Sequence, residues 1–321
     1  MLDVALIVGG LVLLFVGGEG LLRGAVALAE RFGLSKFLVS AVIVGFGTSM
    51  PEMVVSVGAA LKGAPDIALG NVVGSNIANI LLIVGIAALL APIKVNVQEV
   101  RRETYVMLGA AALLCGLSLF GVINFMLGLL MFALLLGHVG YSYHLDRTAS
   151  KKARKAKKDA GIVEEMHPHA FSLPVAVMFC VAGLGMLVLG AEWLVQGASS
   201  LARGLGISDA VIGLTVVAVG TSLPELATAA VAAYRKHSEM ILGNILGSNV
   251  FNVLSILGVT AMVTPVPFIG QIANLDVWLM LMVSLAFGGM LLSGMRLGRA
   301  TGAAMVGVYA AYTLWLYVGA A

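Results

Sequence analysis

The sequence predicts an all-α membrane protein: ten transmembrane helices arranged as two inverted five-helix repeats. Three observations carry that prediction. Of the 321 residues 60% are hydrophobic and only 11% charged, with a mean hydropathy of +1.04. Soluble domains are about a quarter charged, so this chain has too little polar surface to cover a globule, and lipid is its expected solvent. Basic residues crowd every second loop. The two halves also repeat the same polar motifs at a constant separation of 173 residues.

A helix needs roughly 20 apolar residues to cross a bilayer. Ten runs qualify, near 3–22, 38–61, 67–91, 104–119, 124–143, 173–197, 209–233, 239–263, 274–293 and 300–319. The first run lacks a basic leader and carries Glu19 where a cleavage motif would fall, so it is read as a retained helix. Strand-like alternation of polarity is missing, which argues against an outer-membrane barrel.

Charge placement orients the spans. Arg31 and Lys36 follow the first run; Lys94, Arg101 and Arg102 follow the third. Seven basic residues from Arg147 to Lys158 follow the fifth; Arg235 and Lys236 follow the seventh, and Arg296 and Arg299 the ninth. That puts 16 basic residues on one side, against Lys62 and Arg203 on the other. By the positive-inside rule the basic loops are cytoplasmic and both termini extracytoplasmic, in the inner (plasma) membrane. The run KKARKAKK (151–158) has the composition to bind anionic lipid or a regulator, and the favoured reading is a solvated loop that fixes topology. Cys115 and Cys180, single and in apolar helices, are packing residues. His138, His144, His167, His169 and His237 fall at run ends or in loops, and HPH (167–169) has too few ligands for a metal.

The duplication is explicit. GTSMPEM (47–53) matches GTSLPEL (220–226), and GNVVGSNIANILLIVG (70–85) matches GNILGSNVFNVLSILG (243–258). The ungapped offset also pairs Glu19 with Glu192, Gly24 with Gly197 and Pro92 with Pro265, giving 29 identities in 76 positions from Gly17 to Pro92. Each half holds five helices, an odd number, so the second enters the membrane from the opposite side. Inverted repeats belong to secondary transporters, whose site lies at the midplane where repeats meet. Repeat one is 1–143, the basic cytoplasmic linker 144–172 and repeat two 173–321, together one integral membrane domain.

Glu52 and Glu225 sit near the centres of their runs. A charge there costs at least about 2.5–3.5 kcal/mol on insertion scales, so the default reading is functional. Pro51 and Pro224 precede them, and a proline frees the carbonyl four residues back, here near Gly47–Thr48 and Gly220–Thr221. Hard cations take such oxygens. Thr48 and Ser49 lie four and three residues before Glu52, on one helical face. Asn71, Ser75 and Asn79 recur every four residues, as do Asn244, Ser248 and Asn252. Ser75, Asn79, Ser248 and Asn252, deeper in their helices, are read as site residues. Asn71, Asn76, Asn244 and Asn249 fit interhelical bonding and ligation equally. Two carboxylates give the site a charge of about −2, matched by one Ca²⁺ or two Na⁺. All donors are oxygens, which disfavours soft metals, and Mg²⁺ holds its water too tightly.

GTSMPE, GNVVGSNIAN, GTSLPE and GNILGSNVFN resemble the alpha repeats of the cation/calcium exchanger superfamily, most closely its prokaryotic sodium/calcium exchangers. The likeness spans both halves. It implies ten helices and Ca²⁺ extrusion driven by Na⁺ entry, with Glu52 and Glu225 as carboxylate ligands shared by both ions. It makes Thr48 and Thr221 donors of backbone carbonyls to Ca²⁺. Ser49, Ser222, Ser75 and Ser248 become sodium ligands, helped by the carbonyls of Gly45 and Ala218, and Asn79 and Asn252 complete the central position. Some relatives, including potassium-dependent ones, carry Asp where this chain has Asn252, a departure that lowers the negative charge of the site.

The expected function is therefore a sodium/calcium antiporter working by alternating access, with Ca²⁺, Na⁺ and the bilayer as partners. Neither a cofactor nor a nucleic acid is expected, and the chain is read as a monomer. The alternatives are a Ca²⁺/H⁺ antiporter on the same scaffold, or a cation channel, which the duplication disfavours. No enzyme is expected: Ser49 and Ser222 have no nearby base, and no GxGD motif occurs.

Overall fold

The computed structural model describes residues 2–159, 171–204, 220–269 and 272–320. It is almost entirely helical. Helix α1 runs over Leu2–Phe32. Ser35 then caps α2, Lys36–Thr48, its hydroxyl accepting from the Leu38 amide at 3.1 Å. A 42° bend separates α2 from α3, Met50–Leu61. The remaining helices are α4 (Pro65–Leu90), α5 (Val97–Ser118), α6 (Phe125–Asp159), α7 (Leu173–Gly204), α8 (Leu223–Tyr234), α9 (Ser238–Val263), α10 (Val277–Leu292) and α11 (Arg299–Ala320). Among the described residues six helices are long and apolar enough to cross a membrane, or seven if the bent α2–α3 pair forms one span.

Two boundaries differ from the sequence expectation. Helix α5 begins seven residues before the apolar run at 104, because Asn96 caps it, accepting from the Gln98 amide at 3.2 Å, and its first turns are the charged QEVRRE. Helix α6 continues to Asp159 through the basic run, whose Lys, Arg and Ala are strong helix formers. The linker expected at 144–172 is thus helical in its first part, and 160–170 lie outside the described residues.

The prolines do not kink continuous helices. Pro51 and Pro224 occupy the first turn of new ones, α3 and α8, after a break at Ser49 and Ser222. That position suits proline, since its missing amide would be unbonded there anyway. Helices α4 and α9 each contain a π turn, Asn79–Ile83 and Asn252–Leu257, beginning at equivalent asparagines. Such turns are frequent at functional sites.

The core is one contiguous apolar cluster contributed by nearly every helix. Helix α9 lies directly on α2: a Cβ at Gly243 would stand 2.5 Å from the Phe37 carbonyl, and one at Gly247 would collide with the carbonyl of Ala41. Only glycine permits that approach. Two short contacts tie the connections: strands β1 (Val122–Ile123) and β2 (Val266–Pro267) pair antiparallel, and Ile93 bridges Leu297.

Candidate functional site

The break before each proline places each glutamate in the first turn of a helix, Glu52 in α3 and Glu225 in α8. The positive end of the helix dipole favours a carboxylate there. Both side chains are buried, each 1% exposed. The break also redirects the serines. Ser49 and Glu52 were expected on one face of a continuous helix; instead Ser49 Oγ donates across to Glu225 Oε1 at 3.2 Å, and Ser222 Oγ donates to Glu52 Oε1 at 3.4 Å. The two bonds are copies of each other at the 173-residue offset. They bring the motifs of the two halves together at one place.

The asparagines form a second reciprocal set. Asn79 Nδ2 donates to Asn249 Oδ1 at 3.1 Å, and Asn252 Nδ2 donates to Asn76 Oδ1 at 3.0 Å. Each amide of Asn79 and Asn252 is thereby oriented, with its nitrogen donating and its oxygen left over. Among the described residues Glu52 Oε2, Glu225 Oε2, Asn79 Oδ1 and Asn252 Oδ1 are all buried without a hydrogen-bond partner. An unmatched buried polar group costs about 1–3 kcal/mol, and more if charged. Four acceptor-only oxygens, two from carboxylates, suit a hard cation. Among the described residues no group of three or more His, Cys, Asp or Glu is placed to hold a metal, so the donor set is carboxylate plus neutral oxygen.

The other expected residues divide. Ser248 Oγ donates to the Gly45 carbonyl at 3.3 Å and lies 3.4 Å from Asn244 Oδ1, so those two expected sodium ligands do meet. Ser75, its counterpart, is buried. The Thr48 hydroxyl donates to the Val44 carbonyl at 3.0 Å, within its own helix. Thr221 is half-buried in the turn before α8. Ala218 lies outside the described residues.

The structure resolves the asparagines the sequence left open. Asn76 and Asn249 orient Asn79 and Asn252, as above. Asn71 Nδ2 donates to the Glu52 carbonyl at 3.2 Å and to Ser56 at 3.0 Å, while Asn244 Nδ2 donates to Thr228 at 3.1 Å. Met107 and Met280 escaped sequence analysis altogether. Their sulfurs accept from the Asn249 and Asn76 amides at 3.7 and 3.6 Å, and the two methionines are themselves 173 residues apart. That spacing was the only available signal. His138 was expected at a run end; it lies inside α6, 2.7 Å from the buried Glu103, which also accepts from Ser142 and Arg102.

Comparison with known proteins places the chain. Residues 2–143 and 175–318 match the family model described as sodium/calcium exchanger protein. The chain is 32% identical to the inner membrane protein YrbG of Escherichia coli K12 over 320 residues, spanning 99% of this chain and 97% of that one. It is 31% identical to the sodium/calcium exchanger MaX1 of Methanosarcina acetivorans, spanning 96% of each. Its fold matches the solved sodium-calcium exchanger NCX_Mj, soaked with zero Na⁺ and Ca²⁺, with a TM-score of 0.83 and 28% identity, over 98% of this chain and 99% of that one.

Proposed function

The chain belongs to the sodium/calcium exchanger protein family, and from that premise we propose that it is a Na⁺/Ca²⁺ antiporter extruding Ca²⁺ by alternating access. The observation that carries the reading is the set of four unpartnered buried oxygens on Glu52, Glu225, Asn79 and Asn252. The ions are cargo. Ca²⁺ takes the two carboxylates, the asparagine oxygens and the carbonyls of Thr48 and Thr221. Na⁺ takes overlapping positions with Ser49, Ser75, Ser222, Ser248 and the carbonyls of Gly45 and Ala218.

The mechanism follows from charge. Two buried carboxylates without a cation are costly in a low-dielectric core. The barrier to exposing the site on the other side is then highest when the site is empty and falls when ions neutralise it, which enforces exchange. Asn76 and Asn249 hold the asparagine oxygens inward, and Glu52 and Glu225 each stand in the first turn of a helix. The architecture we assign is ten spans in two inverted repeats. The site lies at the midplane, both termini are extracytoplasmic and the basic loop is cytoplasmic. The chain acts as a monomer in the inner membrane.

The test is Ca²⁺ uptake by sodium-loaded proteoliposomes. An outward sodium gradient should drive uptake in the wild type and fail to do so in Glu52→Ala and Glu225→Ala. Uptake driven by a pH gradient alone, without sodium, would replace this reading with proton coupling.

A further inference from the structure

Helix α1 supplies no hydrogen bond to the site among the described residues, yet it is tied to the helix that carries Glu225. Arg235, directly after α8, grips the Glu19 carboxylate with two donors: Nε to Oε2 at 3.0 Å and Nη2 to Oε1 at 2.5 Å. Arg23 adds a third, Nε to Oε1 at 2.7 Å. Two-pronged Arg–carboxylate pairing fixes geometry as well as charge, and the Glu19 side chain is only 16% exposed. Leu21 and Leu22 lie two and three residues after Glu19. With Ser40, Thr228 and Asn244 they line a void of only 10 Å³, room for about one water. The tie therefore fixes the turn of α1 whose two leucines close that void beside Ser40, Thr228 and Asn244.

The duplication supplies a counterpart. At the 173-residue offset Glu19, Arg23 and Arg235 correspond to Glu192, Gln196 and Lys62. Glu192, Gln196 and Lys62 are all exposed, and among the described residues neither Glu192 nor Lys62 forms an ion pair. One copy of the pair is made and the other is open. The contact between α1 and α7 is suited to relative movement: Gly10 meets Gly190 and Gly17 meets Gly183, where an added Cβ would lie 2.6–2.9 Å from backbone of the opposite helix. At those crossings backbone meets backbone and the apolar Cβ atoms of Leu13, Met186 and Leu194, which can slide without unpairing a side-chain hydrogen bond.

We propose that Glu19–Arg235 is a latch that shuts the route to the site from the Arg235 side, and that Glu192–Lys62 is its opposite number, formed when the protein opens toward that side. This rests on the alternating-access reading above. The two latches are unequal: Lys offers a single point charge where Arg offers a fork, and Gln196 adds no charge where Arg23 does. At equal ion occupancy the conformation with the Arg235 side closed is therefore favoured.

The experiment places a reporter cysteine, Ser40→Cys, in a full-length background with Cys115→Ala and Cys180→Ala. A membrane-impermeant thiol reagent is added on the Arg235 side of proteoliposomes equilibrated with equal Na⁺ on both sides. Arg235→Gln and Glu19→Gln should each speed labelling about two- to fivefold, the range a partly exposed ion pair supports. Arg235→Lys should fall between them and the wild type, and Lys62→Gln should slow labelling. A purely structural role moves Arg235→Gln and Lys62→Gln in the same direction. Unchanged labelling in both Arg235→Gln and Glu19→Gln, or a Lys62→Gln shift of the same sign as theirs, overturns the proposal. Sodium-driven Ca²⁺ uptake in the same vesicles separates the two readings: if the wild type shows none, the antiporter assignment fails whatever the labelling reads.

Discussion

Helices α4 and α9 differ from α1 and α7 in almost every physical respect, although all four are long and apolar. In their most apolar stretches α4 and α9 are 78% and 89% buried, whereas α1 and α7 are each 28% buried. Helices α4 and α9 carry the two reciprocal asparagine pairs, whose bonds cross between the two halves of the sequence. The α1–α7 pair meets glycine on glycine. A surface of interlocked polar groups can be separated only by breaking hydrogen bonds in a dry interior, each of which would leave a donor or acceptor unmatched. A smooth backbone contact has no such penalty. On the proposed function, the inner group is the part that holds ions in fixed geometry and the outer pair the part that shifts against it.

The sharpest way to break this contrast is to neutralise the inner acids. Glu52→Gln should lower sodium-driven Ca²⁺ uptake about a hundredfold or more, since a lost charged ligand is worth roughly 3 kcal/mol and each 1.4 kcal/mol is tenfold. In ion-free buffer the same variant should melt higher than the wild type, because one buried like charge is gone, and Ca²⁺ should no longer raise its melting temperature much. A melting point lower than wild type in ion-free buffer would mean that Glu52 is structural.

Next come the supporting asparagines. Asn249→Ala leaves the Asn79 amide without its acceptor. Groups that orient ligands typically contribute 10–100-fold to affinity, so the apparent Ca²⁺ affinity in transport should fall by about tenfold. Asn76→Ala should match it, since Asn76 plays the same part for Asn252. Unequal losses would show that the two halves of the site do not share the work.

The outer pair should respond in a different observable. Gly17→Ala drives a methyl into the backbone of α7 at Gly183. Overpacking costs about 1–3 kcal/mol, and here it should slow turnover roughly tenfold while leaving the Ca²⁺-induced melting shift at its wild-type size. A reduced shift with normal turnover would reverse the assignment of holding and moving parts. The smallest effect is expected at Met107→Leu. The swap conserves volume and removes one weak amide–sulfur contact at 3.7 Å; affinity should change less than about threefold.

Much of the site was legible because duplication doubles every signal. A glutamate and proline inside an apolar run are odd once; the same pair again in GTSLPE, in register with Gly, Asn and Ser, exposes a shared polar face. The asparagines were harder. Sequence spacing puts Asn76 and Asn79 three apart on one helix but says nothing about which residue of the other half each one meets. The redirected serines were out of reach for a related reason. Helical periodicity assumes an unbroken helix, and the break at Ser49 turned an expected neighbour of Glu52 into a partner of Glu225. The ion pair of Glu19 with Arg235 joins residues 216 apart, and no local pattern announces it.

The sequence by itself determined the solvent, the helical class, the basic sidedness of its loops, the doubling of the chain and the acids at its centre. These are properties of composition and period, fixed residue by residue. Tertiary structure alone decided which oxygen faces which, where the helices break and which of two equivalent acid–base pairs is made. Those choices depend on how two halves with nearly the same motifs cross each other, and on a buried amide or carboxylate taking whichever partner the crossing brings within about 3 Å.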